Sequence, residues 1–238
     1  MRFVVERDAL SDGVAWVSRS LSSRPIMPVL LGVVIDAQKN GVHLSGYDLE
    51  TSAKATVNAD VKEEGKVLVS GRLLSDIAKS LPNKPVTISL EGSRVSVVSG
   101  SAKFALPTLP VSDYPNLPEL PSETGRLSGE LFAEAVHQVA IAAGKDDSLP
   151  VLTGVHVEIE ENKLTLAATD RYRLAVRELD WEAPRASASA LIRARTLHDA
   201  SKSLVGSAQV SLALATPNAQ ERLIGFSTEG KSMTSRML

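Results

Sequence analysis

Pro28-Val29-Leu30-Leu31-Gly32-Val33 recurs 122 residues later as Pro150-Val151-Leu152-Thr153-Gly154-Val155. The same spacing carries Val42-His43-Leu44-Ser45-Gly46-Tyr47-Asp48 onto Leu164-Thr165-Leu166-Ala167-Ala168-Thr169-Asp170. One residue further, at 123, Arg72-Leu73-Leu74-Ser75-Asp76-Ile77-Ala78-Lys79-Ser80-Leu81 falls on Arg195-Thr196-Leu197-His198-Asp199-Ala200-Ser201-Lys202-Ser203-Leu204. A near-constant offset across three separate blocks marks an internal duplication.

Each copy carries the same order of elements. A short strand, Arg2 to Val5, leads into a helical pattern with Leu10, Val14, Val17 and Leu21 on one apolar face. Phe132, Val136 and Val139 repeat that face. Alternation then predicts strands over Leu30 to Ala37, Gly41 to Tyr47 and Thr51 to Val57. Ser70 is a candidate N-cap for a second helix that Pro82 stops. Val86 to Leu90 and Arg94 to Ser99 read as a hairpin around Glu91-Gly92. The Pro-rich stretch from Leu106 to Pro121 reads as an extended linker. Many antiparallel strands and few helices predict an α+β fold rather than a parallel doubly wound sheet.

Composition narrows the class. Apolar residues make up 43% and charged residues 23% of the 238, which is ordinary for a globular chain. Without cysteine there is neither a disulfide scaffold nor a thiolate metal site. No apolar run is long enough for a signal peptide or a membrane span, so a soluble, cytoplasmic protein with no membrane partner is expected. The formal net charge of −2 says little by itself, because a near-neutral chain binds nucleic acid when its cations are gathered on one face.

Such a face is present twice. Arg72 and Lys79 stand seven residues apart, nearly two helical turns, and Arg195 and Lys202 repeat them. A basic face of this kind suits sequence-independent contact with phosphates. Solvated helix faces ordinarily carry Lys and Arg too, and Arg24 in the loop Ser22-Ser23-Arg24-Pro25 is a third candidate, though an exposed loop arginine is ordinarily just surface.

Gly225-Phe226-Ser227-Thr228-Glu229-Gly230-Lys231-Ser232 satisfies the pattern of a phosphate-binding loop, which makes nucleotide binding the alternative function. That loop must open a helix, yet Met233-Thr234-Ser235-Arg236-Met237-Leu238 reads as a strand, and the repeat sets the segment opposite Val97 to Phe104, another hairpin. His43, His137, His156 and His198 show no metal spacing, and no nucleophile elbow or dinucleotide fingerprint is present, so neither an enzyme nor a cofactor is expected. Lys145-Asp146-Asp147 reads as a solvated loop. A plain repeat scaffold without DNA is a third reading.

Three groups of residues carry a family resemblance: Arg24-Pro25-Ile26-Met27-Pro28-Val29-Leu30, Gly46-Tyr47-Asp48-Leu49-Glu50, and Ala168-Thr169-Asp170-Arg171-Tyr172-Arg173-Leu174-Ala175. With Leu106-Pro107-Thr108-Leu109-Pro110 and Asp113-Tyr114-Pro115, they resemble the β sliding clamp of bacterial DNA polymerase III, over essentially the whole chain. The resemblance implies the DNA-clamp fold, with a complete first module over residues 1–120 and a second over 126–238 cut short at its C-terminal end. The first copy runs on past its hairpin to Pro115, whereas the second reaches Leu238 within a strand. A truncated form lacking a third module is therefore expected. The resemblance also implies a homodimeric ring around duplex DNA when full length. DNA polymerase III, the clamp loader and repair proteins would dock through short peptide motifs. Arg24, Arg72, Lys79, Arg195 and Lys202 would touch DNA, with Ala194 standing where the family often has another basic residue. Leu152, Thr169, Arg171, Tyr172, Arg173 and Leu174 would form the second module's share of the peptide groove. Ile77, Phe104 and Leu106 would face the partner subunit.

Overall fold

The computed structural model describes residues 1–22, 24–181, 187–204, 206, 208–215 and 221–238, the side chain of residue 203 excepted. Ser23, in the loop before Arg24, lies outside them. Contacts divide the chain into two compact units, Met1–Pro118 and Glu119–Leu238.

The first unit holds β1 (Arg2–Val5), α1 (Arg7–Ser18), β2 (Gly32–Gln38), β3 (Gly41–Tyr47), β4 (Thr51–Val57), β5 (Ala59–Glu63), β6 (Gly65–Ser70), α2 (Gly71–Ser80), β7 (Val86–Glu91), β8 (Arg94–Ser99) and β9 (Ala102–Leu109). Its strands run β4-β3-β2-β6-β9-β8-β7-β1-β5, each antiparallel to its neighbours. The apolar face of α1 buries Leu10, Val14, Trp16 and Val17. A Cβ at Gly13 would stand 2.8 Å from Val57 Cγ2 and 3.1 Å from Leu44 Cδ1, so this helix lies tight on β3 and β4. Ser70 caps α2 by accepting the Leu73 N–H, an arrangement that stabilises a helix by about 1 kcal/mol.

The second unit repeats the design with β10 (Gly125–Leu127), α3 (Gly129–Ala140), β11 (Gly154–Glu160), β12 (Lys163–Thr169), β13 (Leu174–Asp180), β14 (Ala188–Arg193), α4 (Ala194–Leu204), β15 (Val210–Leu214), β16 (Leu223–Thr228) and β17 (Lys231–Arg236). Two antiparallel runs, β13-β12-β11-β14 and β10-β15-β16-β17, match the two halves of the first unit's sheet. Ser128 caps α3 as Ser70 caps α2. Phe132 of α3 meets Phe226 of β16 with ring centroids 5.7 Å apart, tying the helix layer to the hairpin strands. The fold is α+β, two helices lying on antiparallel sheet in each unit.

Three expectations need correction. Pro28–Leu31 forms a 3₁₀ turn, so β2 starts at Gly32 rather than Leu30; Pro28 has no N–H to give a ladder but fits the first position of a helical turn. The stretch from Leu106 is not yet linker: Leu106 to Leu109 complete β9, and Val111–Asp113 make another 3₁₀ turn. β5 and β6 were not expected from the sequence. Among the described residues, no helix is long and apolar enough to cross a membrane.

Candidate functional site

Two surfaces collect the residues singled out by sequence. On α2, Leu74 and Ala78 are buried while Arg72 and Lys79 are exposed on the opposite side. On α4, Leu197, Ala200, Ser201 and Leu204 are buried, and Arg195 and Lys202 are exposed. Arg195 Nε lies 3.9 Å from Asp199 Oδ2, a contact too long and too exposed to hold the guanidinium. Arg24 is exposed too, its amide N–H donating to Ser22 Oγ at 3.2 Å.

The second surface is a cleft of about 370 Å³ in the second unit, lined by Ala143, Gly144, Lys145, Asp146, Leu149, Leu152 and the loop Asp170 to Arg173. Asp170 builds that loop. Its Oδ1 accepts the N–H groups of Tyr172 and Arg173, each at 3.1 Å, and its Oδ2 accepts Arg173 Nε–H at 3.0 Å. Thr169 Oγ1 donates to the Arg173 carbonyl at 2.7 Å and accepts the Arg171 N–H at 3.1 Å. Arg171 takes a left-handed φ of 83°, a conformation that costs a side-chain-bearing residue free energy and that these bonds hold in place. The result sets Tyr172 outward, 89% exposed, with the Arg171 guanidinium 5.9 Å from its ring centroid. Partial desolvation raises the Asp170 carboxyl, but the two amides and the Arg173 guanidinium together hold it below the usual carboxylate range. Asp146 is likewise held low, first by the Ser148 hydroxyl and amide.

The first unit carries the same device: Asp48 Oδ1 accepts the N–H groups of Glu50 and Thr51, and Leu49 has φ 77°. There, however, Leu49, Leu109, Val111 and Tyr114 pack on the buried Val29 and Leu30.

Leu152, Arg171, Tyr172 and Arg173 thus meet in one cleft. Thr169 supports the loop from below, and Leu174, at the head of β13, is exposed beside it. Lys145 and Asp146 lie in an exposed loop, as expected, and also line the cleft. Nothing in the sequence marks Gly144; its N–H donates to the Leu152 carbonyl at 2.7 Å, and a Cβ there would stand 3.3 Å from that oxygen. Ile77 and Phe104 are half-buried, but Leu106 is only 1% exposed, so it packs inside the first unit and offers no surface. Among the described residues, β9 pairs with β6 only at Leu109 and Thr108, so the edge of residues 102–107 has no described strand partner inside that unit.

The phosphate-loop motif folds as a β-hairpin. Gly225 sits within β16, Gly230 turns with φ 75°, and Lys231 and Ser232 open β17 rather than a helix. Among the described residues, no cluster of three or more side chains suits a metal ion.

Residues 1–118 match the family model of the DNA polymerase III beta subunit, N-terminal domain, and residues 126–238 that of its central domain. The chain belongs to the DNA polymerase III β-subunit family. It is 55% identical over 240 residues to the beta sliding clamp of Streptomyces coelicolor, covering 100% of this chain and 64% of that protein. With the beta sliding clamp of Micrococcus luteus the identity is 49%, covering 99% of this chain and 76% of the relative. Among solved structures, the DNA polymerase sliding clamp of Bacillus subtilis matches with a TM-score of 0.92 at 27% identity, over 100% of this chain and 64% of that one. A sliding clamp of Pseudomonas aeruginosa bound to griselimycin matches with a TM-score of 0.90 at 28% identity, again over 100% and 64%. The chain therefore spans about 64% of the length of several of these β-subunit relatives.

Proposed function

We propose that this chain supplies the first two modules of a DNA sliding clamp, a non-catalytic processivity factor of the cytoplasmic replication machinery. In this reading a third module follows, and two subunits close head-to-tail around duplex DNA. The observation that carries it is the duplicated cation pair: Arg72 with Lys79, and Arg195 with Lys202, exposed at matching places on α2 and α4. Lys and Arg on a helix face meet phosphates without reading bases, so they hold the duplex at any sequence. A sliding ring needs such contacts to be weak and numerous, because closure, not affinity, retains it. The net charge of −2 agrees with that requirement: the cations are local, and the whole does not stick. Arg24 adds a further contact.

The cleft at Leu152 takes short extended peptides of DNA polymerase III, the clamp loader and repair proteins. Leu152 and Leu174 supply apolar surface, Tyr172 an aromatic wall, and Arg171 and Arg173 a charged rim, the usual mixture of anchor and rim at a peptide site. In the first unit Val111 and Tyr114 cover the matching place; in this reading the rest of the groove comes from the third module. Ile77, Phe104 and the free edge of β9 face the partner subunit.

Charge reversal tests the reading. In the protein carried on through its third module, Arg72→Glu, Lys79→Glu, Arg195→Glu and Lys202→Glu together abolish clamp-loader-dependent retention on DNA, while the circular dichroism spectrum is unchanged. Retention equal to the parent would refute the role of these helices.

A further inference from the structure

The two copies differ at the centre of the basic face. In the second unit the imidazole rings of His137 on α3 and His198 on α4 stack, with centroids 6.1 Å apart and an interplanar angle of 25°. The repeat places Ala15 and Ser75 at the corresponding positions of the first unit, where no ring is possible. His198 comes three residues after Arg195 and four before Lys202, and residues at those spacings share one helical stripe. The pair therefore sits between the two cations of α4. His137 is exposed and the His198 side chain is 31% exposed, so both are open to solvent and to a ligand lying on this face.

The charged surroundings favour an anion there. On α4 the neighbours are Arg195, Lys202 and Asp199, whose Oδ1 lies 3.9 Å from His198 Nδ1. On α3 the nearest carboxylate in sequence is Glu134, one turn before His137, and it already accepts a hydrogen bond from Gln138 Nε2 at 2.9 Å. The sheet beneath the two helices presents buried aliphatic side chains of β11, β12 and β14. The charged exception among the described residues is Arg177 of β13, which pairs with Leu166 and so shares that face.

We propose that the His137–His198 stack is a further phosphate contact of the second unit, its ring N–H groups donating to a phosphodiester oxygen laid between Arg195 and Lys202. The proposal rests on the DNA-clamp reading above. An imidazole ordinarily titrates near pH 6.5. A phosphodiester oxygen accepting the imidazolium N–H stabilises the charged form, and DNA therefore raises the pair's affinity for protons.

The test is an NMR titration of the four histidine Cε1–H resonances in this 238-residue chain at low salt, with and without a short DNA duplex. The midpoints for His137 and His198 rise by roughly half a pH unit when duplex is present, while those of His43 and His156 stay put. Equal movement of all four, or no movement of His137 and His198 while the α2 and α4 amides respond to DNA, overturns the proposal alone. Silence of those helix amides together with the histidines sinks the proposal and the DNA reading with it. In a second arm, His137→Gln with His198→Gln leaves duplex affinity unchanged well above neutrality and removes the gain seen on acidification; persistence of that gain contradicts the assignment.

Discussion

Asp170 shapes the loop that lines the cleft with three hydrogen bonds, and removing its carboxylate tests how much of the loop depends on them. In Asp170→Ala, the amides of Tyr172 and Arg173 should exchange with solvent roughly tenfold faster, in line with the worth of one such bond. Those of Glu50 and Thr51, held by Asp48, should not change; unaltered exchange at Tyr172 would show that Thr169 alone fixes the loop. The pH dependence has a definite sign. The folded carboxyl is held below its ordinary range, so its contribution is complete above about pH 4 and fades only as pH falls through the lower folded value. Protection at Tyr172 should therefore be level from about pH 5 to 8 once intrinsic exchange is divided out. That Leu152 and Tyr172 share one cleft is legible only through the family motif, because an exposed tyrosine and a half-buried leucine carry no signal of their own. The place of Gly144 and Lys145 in it is not, since they approach Leu152 through a turn that neither hydrophobic period nor motif marks.

At the scale of elements, the repeat made both helices of each copy and most strands readable. β3 and β4 begin and end where alternation sets them. β6 escaped because Gly65–Ser70 runs straight into the cap of α2, and the helix signal at Ser70 hid the short strand before it. The C-terminal part of β9 reads as linker in the sequence because of Pro107. A proline is tolerated there since that strand's 102–107 stretch has a partner on one side only, with Pro107 opposite Arg94. The close seat of α1 gives a quantitative test. Gly13→Ala gains about 1 kcal/mol of helix propensity, but the new methyl meets Val57 Cγ2 at 2.8 Å, and overpacking of that kind costs about 1–3 kcal/mol. Chemical denaturation should show a net loss of about 1 kcal/mol, although the second copy accepts Ala135 at the matching position. A gain in stability would mean that α1 is free to lift from the sheet.

For the whole molecule, the proposed function has the duplicated modules acting by enclosure rather than by affinity. The sequence showed the duplication directly, whereas the free edge of β9 and the open cleft became visible only once strand pairing and burial were known. The most direct measurement loads the protein carried on through its third module onto nicked circular DNA and then linearises the DNA with a restriction enzyme. Enclosure predicts stable retention on the circle and rapid loss from the free ends after cutting. Retention that persists unchanged on the linear molecule would contradict it.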